Sequence, residues 1–440
     1  MTPLPKSTPR TAYRLTAPCP RGTCPELARA AAPHPVAGFP RPRRFCGVAF
    51  ALACALSAPA AAQSYDFEFY GKLYPEVLRY EVSGATPADA EVSDLAVRPT
   101  GGADYSGSEL ESSNSRIGVR GGLDLGDTGL RAIVQLETTV PIDSGTKDGD
   151  FWDRDTFVGL ETPFGTVKVG VLDTVYKTMA EGASFLGVSS GNFVSISNII
   201  ARQGFGRSSA SSFHLRGKNT IYYESPVRAG FQGLAQYSVG EKTEPNAPEP
   251  WLASYGVQYN RGGFYAGIAH EIHRDFYGGT LSMPTSELRD TGGKTSRDES
   301  VRLTLRQNFG GGTRVDVNLA RTRFRERGGA DGHFRSYEHD TWSIGLQHKL
   351  GRWTLAAQHG SAGAGRCRLV GLDDCSTDGL EGRMDSVGAS YSLAKQVALF
   401  GLFTDLRNGR SATYNNLGEA PRGGTGADIR QAALGLSVGF

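Results

Sequence analysis

The body of the chain alternates apolar and polar residues through segments about ten residues long, beginning near Phe67. In 299–309, for example, three aliphatic residues occupy every second position and alternate with two arginines and a threonine. A strand with charge at every second position cannot bury both of its faces, because the charged face needs water. The pattern therefore predicts β-strands with one apolar and one wet face.

Two kinds of connection separate these segments. Tight glycine-containing turns, such as 126–129 and 310–312, alternate with long polar loops, of which 173–215 is the longest. This order is typical of an up-and-down sheet with one short-turn end. It predicts sixteen antiparallel strands at 67–81, 114–125, 130–140, 152–162, 166–172, 216–225, 231–239, 251–260, 264–273, 299–309, 313–324, 339–349, 353–359, 384–393, 396–405 and 427–440.

An even number of strands of this length predicts an all-β fold, a transmembrane β-barrel wide enough for an aqueous channel. A soluble β-sandwich or β-propeller would show the same alternation. Aromatic residues gather at the strand ends, Trp251 and Trp353 among them, and rings at those positions would lie at the level of the lipid headgroups. They favour the membrane barrel.

Composition agrees with this prediction. The 440 residues include 58 glycines and 10% aromatic residues, and the hydrophobic share is 39%. The body of the chain has no apolar run long enough for a membrane-spanning helix, which excludes a polytopic helical membrane protein. Charges of both signs and abundant aromatic residues argue against disorder.

The first 62 residues have a different character. Arginines within 41–44 precede an apolar stretch at 45–56, and the small residues that follow end in Ala60-Ala61-Ala62. This order predicts a signal peptide behind an N-terminal extension, cleaved near Ala62/Gln63, with the barrel at 63–440. A transmembrane anchor is the alternative, but an apolar stretch of 12 residues is too short to span a bilayer.

Removal of that segment changes the charge and the cysteine count. It carries eight basic residues and one acid, so 63–440 holds 39 basic against 44 acidic residues and lacks a footprint for nucleic acid. It also carries four of the six cysteines. The remaining pair, Cys367 and Cys375, is predicted to form a disulfide across a surface loop, because an exported chain is oxidised and the spacing fits no common metal motif.

Three stretches resemble the Gram-negative general porins. Residues 115–137, which begin Ser-Arg-Ile-Gly-Val-Arg-Gly, resemble the second and third porin strands. Residues 157–170 resemble the next hairpin, and 219–231 the hairpin after the pore loop. The terminal Phe440 follows apolar residues at alternating positions, which is similar to the signal that such barrels present to the barrel-assembly machinery.

The resemblance implies a homotrimer exported through the periplasm to the outer membrane, in contact with lipid and lipopolysaccharide. It implies a water-filled channel for ions and small hydrophilic solutes, narrowed by an inward-folded third loop, 173–215. The implied constriction consists of Arg116, Arg120 and Arg131 on the wall and Asp173, Glu181, Arg202 and Arg207 on the loop.

Departures from the family pattern bear on ion selectivity. Gly170 is followed by Val171-Leu172 where members of the family often carry Arg-Gln, and the loop sets only two acids against three basic residues. These departures favour an anion-preferring or nearly neutral pore. Further positive charge on the wall is expected from Arg302, Arg306 and Arg314.

Other functions stay open at this stage. A solute-specific channel would need a row of aromatic residues along the pore, and the lumen-facing positions do not supply one. A plugged structural or adhesin barrel would have the same strand pattern. An enzyme is disfavoured, since His270 and His273 would point to opposite faces of a strand and cannot share a metal. The sequence predicts no cofactor and no metal site.

Overall fold

The computed structural model describes residues 65–147, 149–188, 190–206, 213–240, 249–283, 290–418 and 422–440. The predicted signal peptide and extension, 1–62, lie outside the described residues. The described residues form one antiparallel sheet that closes on itself. Its strands are β1 Tyr65–Leu73, β2 Glu76–Ser83, β3 Tyr105–Glu111, β4 Arg116–Asp124, β5 Arg131–Thr139, β6 Thr156–Thr162, β7 Gly165–Asp173, β8 Arg216–Glu224, β9 Phe231–Val239, β10 Trp251–Arg261, β11 Phe264–Arg274, β12 Thr295–Asn308, β13 Thr313–Arg327, β14 Phe334–Leu350, β15 Trp353–Ala362, β16 Arg366–Leu369, β17 Gly382–Ala394, β18 Val397–Asn408 and β19 Asp428–Gly439.

These 19 segments make a barrel of sixteen strands, because three barrel strands are each interrupted once. β1 and β2 form one interrupted strand, β3 and β4 form another, and β15 and β16, which both pair with β14, form the third. β2 and β1 pair with the two halves of the second strand, β3 and β4. The predicted fold class and strand number are confirmed.

The first predicted strand, 67–81, is interrupted at Tyr74-Pro75. Proline has no N–H to donate to the sheet, and the amide of Tyr74 donates instead to the Ser115 hydroxyl at 2.8 Å. The partner half-strand β3 lies in a region that was expected to be loop. Its sequence, Tyr-Ser-Gly-Ser-Glu-Leu-Glu, has little of the apolar alternation that marks the other strands.

The barrel closes where the last strand meets the first. β19 pairs with both β1 and β2. At the chain end, Phe440 and Gly71 exchange two backbone hydrogen bonds of 3.0 and 3.1 Å. The Phe440 ring stacks on Phe69, with the ring centroids 5.7 Å apart. The terminal residue therefore extends the seam of the barrel by one more residue pair.

Side chains alternate between an apolar exterior and a polar interior. On β13, Leu319 faces outward and is 48% exposed, whereas its neighbour Asn318 faces inward and is 2% exposed. The aliphatic exterior is what a barrel presents to lipid. Helices are short: α1 spans Val175–Ala180 and α2 Ser197–Ile200, and single 3₁₀ turns lie at Gly126–Thr128, Glu181–Ala183, Thr280–Ser282 and Gly310–Gly312. In the part of the chain that the structure describes, no helix is long and apolar enough to cross a membrane.

The loop between β7 and β8, residues 174–215 and hereafter L3, folds into the barrel as expected. Its aromatic side chains, among them Tyr176, Phe205 and Phe213, are buried against the inner wall. A loop in such a place must find partners for its backbone polar groups. The wall supplies them: the Gln347 amide donates to the Ser184 carbonyl at 2.8 Å, and the Thr341 hydroxyl to the Ile200 carbonyl at 3.0 Å.

A disulfide adds a covalent link to the hydrogen bonds of the sheet. Cys367, on β16, and Cys375, in the loop that follows, form a disulfide with their Cα atoms 5.6 Å apart. The cysteines pack against the buried cluster under the long loops. The link therefore closes a short loop at the end of the barrel opposite the tight turns.

Candidate pore constriction

A cavity of about 490 Å³ separates L3 from one side of the barrel wall. The wall side is formed by β4, β8 and the segments that lead into β4 and β6. Ten of its sixteen lining residues are charged, histidine or asparagine, and the rest are small: Ser113, Asn114, Arg116, Arg154, Asp173, Lys177, Glu181, Ser184, Gly187, Ser190, Gly191, Ser197, Asn198, Arg202, His214 and Arg216. Such a lining suits water and ions better than apolar ligands.

The position of the cavity follows from the path of L3. At the start of the loop, the amide of Val175 donates to Gln236 on β9 at 3.1 Å, and the amide of Tyr176 to Ser254 on β10 at 2.9 Å. Further on, α2 packs against β14, β15 and β17. L3 thus covers the inner wall from β9 to β17, and the passage that it leaves is on the opposite side, beside β4 and β8.

The two ends of L3 meet at an ion pair. Asp173 is the last residue of β7 and Arg216 the first of β8, and they are partners in the strand register. Arg216 Nη2 lies 2.6 Å from Asp173 Oδ1, and Lys177 Nζ, one helical turn into the loop, lies 2.8 Å from the same oxygen. Arg216 also bonds Asp155 at 2.9 Å. Both carboxylates at the neck of the loop are therefore paired with cations.

The facing wall carries a second charged group centred on Glu137 of β5. Its carboxylate accepts hydrogen bonds from Arg154 and from the Tyr70 hydroxyl, the latter at 2.9 Å, and Arg116 Nε lies 3.7 Å away. One carboxylate thus pairs with two guanidinium groups. Because five donors belong to each guanidinium, most of their N–H groups stay available to the cavity.

Two further residues of L3, Arg202 and Glu181, add charge to the lining of the cavity. Arg202 donates to the backbone carbonyl of Asn415 at 3.1 Å rather than to a carboxylate that the structure describes. Glu181 lines the cavity and its side chain is exposed there, but protein atoms of the surrounding barrel still reduce its contact with bulk solvent. That crowding, with the nearby Asp173 carboxylate, raises the pKa of Glu181 to about 7. Its charge therefore varies in the neutral pH range.

His214, at the end of L3, is not a cation in this site. Its Nε2 accepts a hydrogen bond from Arg302 Nη1 at 2.6 Å, which requires the neutral ring. Burial, reinforced by the positive charge of Arg302, lowers the pKa of His214 well below its ordinary value. Five cations and two carboxylates then remain among the lining side chains, and Glu137 and Asp155 behind them reduce the excess to a single positive charge.

Comparison with known proteins fits this architecture. The profile of the family described as Gram-negative porin matches residues 49–411. The chain belongs to the Gram-negative porin family. Membership of that family and the β-barrel place this porin in the outer membrane of a Gram-negative cell.

Curated relatives include the major outer membrane protein P.IB of Neisseria lactamica, which is 28% identical over 242 residues, and that of Neisseria gonorrhoeae, 30% identical over 223 residues. The matches cover 54% and 51% of this chain and 63% and 56% of the relatives. The chain thus spans about 60% of the length of the curated relatives that it matches.

Solved structures share the fold. An anion-selective porin from Comamonas acidovorans superposes with a TM-score of 0.63 at 20% identity, over 86% of this chain and 100% of that one. OmpT of Vibrio cholerae superposes with a TM-score of 0.54 at 15% identity, over 86% and 98%. At sequence identities this low, the comparison shows only that the folds are similar.

The residues expected at the constriction fall into three groups in this porin. Arg116, Asp173, Glu181 and Arg202 line the cavity together. The structure places two others, Arg120 and Arg131, in the lumen nearer the short-turn end, where Arg120 pairs with Glu68 at 3.0 Å and Arg131 pairs with Asp66, Asp124 and Glu161. Arg207 lies outside the described residues.

The three expected wall arginines face the lumen but are covered by L3. Arg306 Nη1 donates to the Gly182 carbonyl at 3.2 Å, and Arg314 donates to the Ser184 carbonyl. Arg302 bonds His214, as described. Two of the three arginines donate to backbone carbonyls of L3 and the third to the His214 ring, so all three anchor L3 instead of standing free in the passage.

Sequence reasoning missed Arg154 and Arg216 as lining residues. Arg216 had a usable signal, because it opens the strand after L3 and so must lie beside Asp173, which closes the strand before it. Arg154 had none, since it stands in an irregular segment before β6. His270 and His273 lie on opposite sides of the wall, as expected, and no cluster suited to a metal ion occurs among the described residues.

Proposed function

We propose that this porin is a passive diffusion channel for ions and small hydrophilic solutes, with a weak preference for anions, and that it is not an enzyme. The observation that carries the proposal is the polar cavity between L3 and the wall, where five cations face two carboxylates. A narrow passage lined by an excess of one charge concentrates ions of the opposite sign, because the protein around it focuses the field.

The channel is tested by recording from purified protein in a planar bilayer. We expect stepwise conductance increments that stay ohmic at low voltage. A folded barrel that inserts without conductance would instead be a plugged structural barrel. The solute class is tested by swelling of proteoliposomes in small sugars and in a large polysaccharide, where the first should enter and the second should not.

We also propose three features of the assembled protein. Residues 1–62 are removed on export and leave 63–440 as the mature barrel; the N-terminal residue of the purified protein tests this. Phe440 is the recognition residue for the barrel-assembly machinery, and its deletion should lower the folded yield in cells. The functional unit is a homotrimer, so conductance should close in three equal steps.

A further inference from the structure

A second loop also folds into the barrel. It connects β11 and β12 over residues 275–294, hereafter L5, of which the structure describes 275–283 and 290–294. The side chains of Thr280, Ser282 and Met283 are at most 1% exposed. Met283 belongs to the same buried cluster as the aromatic side chains of L3. The first part of L5 therefore lies inside the barrel and packs with L3.

A buried ion pair anchors L5 to the wall. Lys294 is the last residue of the loop, and its Nζ lies 3.5 Å from Oε2 of Glu326 on β13, with the two side chains 1% and 0% exposed. Thr280 stands between them. Its hydroxyl accepts a hydrogen bond from Lys294 Nζ at 3.2 Å and donates one to Glu326, while its amide donates to Glu326 Oε1 at 2.7 Å. Glu326 thus binds both described parts of L5.

Two features of this anchor are unfavourable by themselves. A buried ion pair gives up the hydration of both charges, and apolar side chains of similar volume often stabilise a protein more. In addition, Asp275 and Tyr277 adopt left-handed backbone conformations with φ of 56° and 53°, which residues with a Cβ atom rarely do unless the surrounding contacts impose them. Here the amide of Tyr277 donates to the Ser296 hydroxyl at 2.8 Å. Both features restrict L5 to one position.

L5 in turn holds the second half of L3. The side-chain amide of Gln203 donates to the Ser282 hydroxyl at 2.7 Å. Gly206 lies directly against the same residue, because a Cβ atom at this glycine would be 2.0 Å from the Ser282 carbonyl oxygen. Residues 201–206 of L3 form neither helix nor strand. Their position therefore depends on contacts with neighbouring parts of the chain, such as L5.

This segment carries one cation of the passage. Arg202 lines the cavity and directly precedes Gln203, which bonds L5. On the other side of the segment, the Gly204 carbonyl accepts a hydrogen bond from the amide of Thr413 at 2.8 Å. The interaction energy between a fixed charge and a passing ion falls as their distance grows. A shift of this segment therefore changes what Arg202 contributes to selectivity.

We propose that L5 positions Arg202 in the passage, so that the buried ion pair and Ser282 influence ion selectivity without touching a permeating ion. The inference rests on the proposed channel, since it names residues that set its anion preference. L5 lies on the side of β11–β13, whereas the passage lies beside β4 and β8. Lys294, Glu326 and Ser282 are thus positioning residues that act through L3.

The test is the reversal potential of the purified mature protein in a KCl gradient at one fixed pH. The test variants are Glu326→Gln, which removes the ion pair, and Ser282→Ala, which removes the bond to Gln203. The ratio of chloride to potassium permeability should fall in both by up to about threefold, the effect of one unit charge about 6 Å from the ion. The control is Thr404→Val, which removes a buried hydroxyl that bonds Ser386 at 3.3 Å on β17. It should keep the ratio of the wild type.

A double-mutant cycle separates positioning of Arg202 from a purely structural role. Arg202→Gln alone should lower the permeability ratio, and neither test substitution should lower it further in that background, because both act through Arg202. A structural role would instead lower the unfolding temperature without this dependence on Arg202.

Three results would overturn the inference: unchanged ratios in folded test variants, equal shifts with and without Arg202, or an equal shift in the control. If Glu326→Gln does not fold, Ser282→Ala carries the test, since it leaves the ion pair in place. A conducting wild type without anion preference would overturn the selectivity stated in the proposed function. An anion-preferring wild type with unchanged variants would overturn only the role of L5.

Discussion

Arg216 Nη2 lies 2.6 Å from Asp173 Oδ1 and joins the first residue after L3 to the last residue before it. The pair holds the two ends of the loop together at the level of the passage. Arg216 and Lys177 both pair with the same oxygen of Asp173, so this carboxylate has little effect on passing ions. One ion pair thus shapes the loop and sets the charge balance of the cavity.

Loss of this pair should loosen L3. In Arg216→Gln we expect lower stability, because the variant leaves Asp155 without the cation that pairs with it and leaves Asp173 with Lys177 alone. Removal of one partner of a fully buried ion pair costs about 3 kcal/mol, and the loss should be smaller for these partly exposed groups. The measurement is the heat-induced shift between folded and unfolded bands on a gel. Arg228→Gln, an exposed turn residue, is the control and should unfold like the wild type. Equal midpoints for all three proteins would contradict a role for the pair in holding L3.

Arg116 should contribute to anion preference, and Arg120 should contribute less. The two residues lie four positions apart on β4 and both face the lumen, but only Arg116 lines the cavity. A unit charge about 6 Å from a passing ion in water contributes about 0.7 kcal/mol, or about threefold in permeability ratio. Arg116→Gln should therefore shift reversal potentials toward cations by about that factor. An equal shift in Arg120→Gln would place the selectivity filter elsewhere.

Selectivity should depend on pH through Glu181. This residue lies on L3, outside the strands, and its pKa is raised to about 7. Below that pH the carboxyl is neutral and the cavity gains net positive charge, so anion preference should rise as pH falls from 8 to 6. The reversal potential in a KCl gradient reports the change. Glu181→Gln should keep the acidic-pH value throughout this range, and a variant that still titrates would assign the effect to another group.

Reduction of the disulfide should leave conduction intact. Cys367 and Cys375 close a short loop at the long-loop end, away from the residues that line the cavity. The chain-entropy argument gives such a loop about 2.5 kcal/mol of stabilisation, so the variant with both cysteines replaced by serine should unfold at a lower temperature. Its single-channel conductance should match that of the wild type. A changed conductance would show that this loop reaches the passage.

The barrel could be predicted from the sequence because its pattern is local. Alternation in 299–309 and its counterparts specifies which side chains face water, and the turns count the strands. The strand β3 was not predicted, because Ser and Gly stand where the other strands have apolar residues. The alternation also predicted that Arg302, Arg306 and Arg314 face the lumen, but it could not predict their contact with L3. That contact depends on the path of a loop whose position is decided by packing between residues far apart in sequence, such as Tyr176 and Ser300, whose hydroxyls meet at 2.9 Å.

The most direct test of the central claim is the reversal potential of the mature protein in a KCl gradient at pH 6. A cavity with a net positive lining should give a reversal potential of the sign set by chloride. Arg116→Gln should lower the ratio of chloride to potassium permeability about threefold. A potential of the sign set by potassium, unchanged in that variant, would contradict the assignment of the cavity between L3 and β4 as the selectivity filter.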